Sequence, residues 1–370
     1  MTNGYIRRLA VLAGMFAVIA TAGPAAAMPP AFVPPSTDSV LERLPGGRQG
    51  PPQPSSREAA LRLAQHNMEL GRQSGDPRYD GRAEAALAAW NGESAIPTEV
   101  YLLRATLAQR RHDFPAALRD LDLLLTSEPG NKQAWLMQAG ILQVQGEYAA
   151  SRTACLRLGG RVDSVITAAC RAAASAISNN ETEATRALEN ALKGPSRISS
   201  GVQAWALGIL AERRQLEGDL PRAEETLRHA LEIAPGDPFL IAALCDLFLQ
   251  QNRTNEVVQL IPEMNAPLDL ALRRAHALTL EERGSEERRT LGQQFEVIRA
   301  RGERPHLRSE AYYRLYVEQN AAAALPLAIE NFAEQREPID RRILLDAARS
   351  AGKPDAAEPV HHWLASNGAP

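Results

Sequence analysis

A spacing of 34 residues recurs along the first half of this chain, and it constrains the fold more than any single motif. Aligned at that interval, "NMELGRQSGDPRYDGRAEAALAAW", "YLLRATLAQRRHDFPAALRDLDLL" and "WLMQAGILQVQGEYAASRTACLRL" keep several columns in register. Gly71, Ala105 and Ala139 form one small-residue column, and Ala83, Ala117 and Ser151 form another. Phe114 and Tyr148 share an aromatic column. Leu87, Leu121 and Cys155 form the next, followed by Trp90, Leu124 and Leu158. A chain built this way need not make one globule, because each unit buries its apolar face against its neighbours. Abundant Ala, Leu, Arg and Glu, with only 5% aromatic residues, point to helices. Small residues at fixed points let paired helices approach closely, while large ones four and seven positions later fill the space between units. Proline stops the second helix in "SEPGN" and "IAPGDP", where Asn131 or Asp237 can cap the next helix.

This spacing resembles the tetratricopeptide repeat, an antiparallel helix pair per 34 residues. Leu70–Gly71, Tyr101, Ala105, Phe114, Ala117 and Pro129 carry the resemblance, continued by Trp135, Ala139, Gly146 and Tyr148. The clearest unit is "ALGILAERRQLEGDLPRAEETLRHALEIAPGDP", with Ala211, Gly218, Ala223, Leu227, Ala230 and Pro235 in place. The implied fold is all-α, a right-handed α-solenoid of antiparallel helix pairs. The units read as 64–97, 98–131, 132–165, 166–203, 204–237 and 238–271. The fourth is degenerate but keeps Ala184, Leu188 and Ala191, and the sixth has Val257 at the small position of its second helix. Repeats thus span 56–271. Segment 272–370 keeps only the helix–turn–helix rhythm and reads as divergent units closing the array.

The N-terminus reads as an export signal. Arg7 and Arg8 precede an uncharged apolar run from Leu9 to Ala22, and Ala25–Ala27 suit cleavage near Ala27–Met28. The run falls short of the roughly 20 residues a membrane span needs. Cleavage of 1–27 makes the formal charge two units more negative than −3, which gives no electrostatic footprint for nucleic acid. Residues 28–55, rich in Pro and Gly, read as a disordered linker. The expected location is periplasmic or secreted, with no membrane insertion of the mature chain.

No phosphate-binding loop, nucleophile elbow or H-E-x-x-H motif occurs, so neither catalysis nor a cofactor is expected. His361 and His362 are adjacent, and neighbours on a helix point about 100° apart, which makes a poor metal site. Asp113 reads as a helix cap beside His112, and His229 as a surface residue. The clusters 281–289 and 299–308 read as solvated faces of mixed charge, with an anion site as the alternative for the second. Cys155 takes a leucine's place in its column, and Cys170 lies on the next helix beyond "LGGRVD". In an oxidising compartment such a pair should form a disulfide; reduced, both would pack as small apolar residues. Cys245, at a small-residue position, reads as a buried free thiol.

The resemblance implies that first-helix residues line a concave wall able to grip a partner's extended segment or helix. By that geometry the wall comprises Leu102, Thr106, Gln109, Met137, Gly140, Gln143, Val144, Gly208, Ile209 and Glu212. Leu102 and Thr106 stand where some members carry a Lys/Arg and Asn pattern for C-terminal carboxylates, so that activity is not implied. The expected function is a non-enzymatic scaffold or adaptor for protein–protein contacts in the bacterial cell envelope. Two alternatives stand beside it: an envelope accessory protein with a metal or small-molecule site in the divergent C-terminal helices, and a purely structural array.

Overall fold

The computed structural model describes residues 54–74, 78–175, 183–262, 266–300 and 306–367. The expected signal segment and nearly all of the linker lie outside them. Among the described residues there are helices and no strands, so the all-α expectation holds. No described helix is long and apolar enough to cross a membrane.

The chain divides into two compact units, Val40–Ile141 and Leu142–Pro370. In the first, α1 (Arg57–Ser74) pairs with α2 (Arg78–Leu87), and α3 (Thr98–Arg110) pairs with α4 (Phe114–Ser127). Ala60, Ala64, Met68, Leu87, Trp90, Val100 and Leu107 form the core of this unit. Helix α5 (Lys132–Val144) contains the unit boundary.

The second unit contains α6 (Tyr148–Leu156), α7 (Ser164–Ala173), α8 (Glu183–Lys193), α9 (Ser200–Leu216) and α10 (Leu220–Ile233). It continues with α11 (Pro238–Gln250), α12 (Thr254–Leu260), α13 (Leu268–Leu280) and α14 (Ser285–Ala300). Last come α15 (Leu307–Tyr312), which runs into a π-helical turn at Tyr313–Val317, then α16 (Ala321–Glu334), α17 (Pro338–Ser350) and α18 (Glu358–Ser366). Segment 272–370 does not stand apart as a unit of its own; it packs with the repeats from residue 142 onward.

The sequence columns map onto the interior. Every residue of the two small columns and of the two large ones is buried, as are Phe114 and Tyr148. The close approach is literal at Gly71, where an added Cβ would sit 3.1 Å from an Asp80 carboxylate oxygen. The caps also follow the sequence. Asp113 accepts the Ala116 N–H, Asn131 the Ala134 N–H, and Asp237 the N–H groups of Phe239 and Leu240. Between paired helices the chain passes through a left-handed residue, at His112, Gly146, Gly218 and Asn252. The same turn persists in the divergent segment at Glu282, Gln319 and Gly352. Backbone geometry thus keeps the rhythm where side-chain columns have faded.

Cys155 and Cys170 are joined in a disulfide, with Cα atoms 5.7 Å apart. Cys245 is a buried free thiol whose pKa burial pushes up to about 12.

Candidate functional site

The second unit forms a half-open cavity of about 250 Å³ whose walls come from distant parts of the sequence. One wall is α9, presenting Trp205, Gly208, Ile209, Glu212 and Gln215 at the spacing of a single helix face. Phe239, Leu240, Ala243 and Asp246 of α11 continue it, and Gln143 and Val144 add the end of α5. The opposite wall belongs to the divergent segment: Arg308 on α15 with Glu337, Pro338, Ile339 and Arg342 at the start of α17. Gly208 matters for the near wall, because a Cβ there would approach Leu240 to 3.0 Å.

The linker between α16 and α17 is fastened to the end of α5. The Arg336 N–H donates to the Val144 carbonyl at 2.7 Å, and its guanidinium donates to the Gln145 carbonyl at 2.7 Å. Next to this, Trp363 of α18 packs on the turn after α5. A Cβ on Gly146 would fall 2.7 Å from its indole, and the Tyr148 ring lies 5.7 Å away, centroid to centroid. The Arg341 guanidinium sits 5.1 Å over the Trp363 ring.

A polar cluster sets the geometry of the far wall. Arg308 donates to both carboxylate oxygens of Asp340, at 2.6 and 2.7 Å, to Glu337 at 2.5 Å and to Gln335 at 3.0 Å. Asn331 donates to Asp340 at 2.6 Å, and the Glu337 N–H donates to it at 3.0 Å. The Asp340 side chain is fully buried, so its charge is carried by these donors. Arg308 is therefore structural, in contrast to the solvated face expected for 299–308. Residues 301–305 of that cluster lie outside the described residues. In 281–289 most side chains are exposed, as expected, with Arg283 paired to Glu281 at 2.7 Å.

On the near wall, Glu212 is held well above the usual carboxylate range, at about 7. Burial is the main cause, followed by the Glu337 carboxylate; Arg341 and Arg213 pull the other way. At the cavity wall, Asp246 takes up Arg273 in a two-pronged ion pair at 3.0 and 2.7 Å. Beside them the His276 ring stacks on Tyr316 and its Nδ1 lies 2.9 Å from the Tyr312 hydroxyl. Burial pushes His276 down to about 4.

Of the residues expected on the concave wall, Gln143, Val144, Gly208, Ile209 and Glu212 converge on this cavity. In the first unit, Thr106, Gln109, Met137 and Gly140 are buried and Leu102 is partly buried, so they present little surface. The Thr106 hydroxyl is satisfied within its own helix by the Leu102 carbonyl at 2.8 Å. His229 is exposed beside Glu232, and His361 and His362 are exposed on α18. Among the described residues no group of three or more His, Cys, Asp or Glu side chains is placed to hold a metal ion. The contribution of Arg308, Glu337, Ile339 and Arg342 went unforeseen, since no periodic signal links α17 to α9.

No family model matches the chain, and no curated protein matches it. Among solved structures, the chain is similar to the crystal structure of the P58(IPK) TPR domain, determined at 2.5 Å. That match covers 80% of this chain and 98% of the other at 14% identity, with a TM-score of 0.25. The fold assignment rests on the helix pairs and buried columns described above.

Proposed function

We propose that this protein is a non-enzymatic scaffold or adaptor of the bacterial cell envelope that holds an extended segment of a protein partner against the α9–α11 wall. One observation carries the reading: an extended segment already lies at this groove. The α16–α17 linker docks on α5 through a main-chain N–H to carbonyl bond, the way extended peptides are held by a preformed surface. The adjoining cavity offers apolar contact from Trp205, Ile209 and Phe239, with a rim of charged groups to fix register. Export is supported by the N-terminal basic and apolar segments and by the Cys155–Cys170 disulfide, a bond favoured in oxidising compartments.

A second reading, a small-molecule accessory, draws on the wall supplied by the C-terminal helices and on a volume near the lower end of small-ligand sites, about 300 Å³. Site-specific photocrosslinking in cells separates the two. A photoreactive residue in place of Phe239 or Gln215 should trap the same protein partner, and one in place of the exposed Arg349 should not. The mature chain recovered should begin at Met28. If neither groove position yields a protein adduct, the scaffold reading fails.

A further inference from the structure

The charges around the cavity differ in how far they are already committed. Arg308 is committed to Asp340, Glu337 and Gln335 through its Nε and Nη2. Asp246 is taken by Arg273, and Asp237 by the backbone it caps. Two charged side chains are left. Glu212 on α9 and Arg342 on α17 both line the cavity, and among the described residues neither makes a hydrogen bond or an ion pair. The charges acting on Glu212 are those of Glu337, Arg341 and Arg213. Glu212 and Arg342 thus offer two anchor points in one cavity, the first on α9 and the second on α17. Trp205, Ile209, Phe239 and Ile339 give the same cavity its apolar lining.

Resting on the groove reading above, we propose that the cavity recognises a peptide segment of mixed charge: a basic side chain for Glu212, an apolar one for the floor, and an acidic one for Arg342. A half-buried Arg342 without a partner is costly. The Glu212 carboxyl, which keeps its proton up to about pH 7, gives it up to a basic partner. A ligand that supplies both charges gains a charge-assisted hydrogen bond at each end. The apolar floor limits the intervening side chain to aliphatic or aromatic size. The α16–α17 linker is itself a main-chain segment held beside the cavity by the Arg336 N–H to Val144 carbonyl bond.

The test is ligand-observed NMR titration of the full-length protein with acetylated, amidated tripeptides. The probes are Lys-Leu-Glu, Gln-Leu-Gln and Glu-Leu-Glu. Lys-Leu-Glu should bind about tenfold or more tightly than Gln-Leu-Gln, the scale of one charge-assisted contact. E212Q and R342Q should each remove most of that preference while keeping the wild-type far-UV circular dichroism spectrum. Glu-Leu-Glu should lose affinity on wild type and regain it in E212Q. Equal binding of all three probes would overturn the charge assignment and leave the groove reading standing. Binding by none of them, together with absent crosslinks from Phe239, would overturn both.

Discussion

In the α9–α10 hairpin the helices meet through Ala204, Ala211, Ala223 and Ala230, with Leu227 filling the space between them, and all five are buried. The α16–α17 hairpin buries Ala324, Ala328, Leu344 and Ala347 in the same way, but at its linker end it adds a polar joint: Asp340, gripped by Arg308, Asn331 and the Glu337 N–H. The first design repeats because small residues need only the right spacing. The second holds only where every donor and acceptor finds its mate, so it specifies one geometry and no other. The apolar joint stacks units, and the polar joint sets the wall of the cavity.

Breaking the polar joint should have the largest effect. Asp340→Ala leaves Arg308 without its main partner in a buried site, and should cost about 3–5 kcal/mol in urea unfolding of the second unit. Next in size, removing the disulfide as C155A/C170A should cost about 3 kcal/mol, read by the same method, because the bond closes a short loop. In the apolar joint, Ala223→Leu forces α9 and α10 apart and should cost about 1–3 kcal/mol. The smallest expected effect is that of pH at Glu212. Its folded carboxyl keeps a proton up to about pH 7, whereas the unfolded one releases it near 4.5. The folded state therefore binds more protons between those values, and stability falls as pH rises through that window. E212Q should be close to wild type at pH 5 and roughly 1–2 kcal/mol more stable at pH 8, a figure discounted for partial solvation.

What the sequence disclosed and what it concealed divide along the same line. The small and large columns, the Asp113, Asn131 and Asp237 caps and the Cys155–Cys170 pair were legible because each depends on local spacing or on one neighbouring unit. The near wall of the cavity, Gly208, Ile209 and Glu212, followed from the same register. The far wall did not. Arg336 reaches the Gln145 carbonyl across 191 residues, and nothing periodic announces such a contact. Arg308 stood in a charged run, where side chains are ordinarily solvated, and only the fold brings Asp340 and Glu337 to it. The turns at Glu282 and Gln319 were equally hidden, since residues other than glycine rarely signal a left-handed conformation.

The docking of the α16–α17 linker on the end of α5 is the feature on which the cavity depends. Hydrogen exchange at the Arg336 amide of the full-length protein tests it most directly. With the Arg336 N–H bonded to the Val144 carbonyl, it should exchange as slowly as the central amides of α9. The control is Gly146→Ala, which drives a methyl into the Trp363 indole and should speed exchange at Arg336 by tenfold or more, about 1.4 kcal/mol of lost protection. Exchange at Arg336 within seconds in the wild-type protein, as for an open loop, would contradict the account.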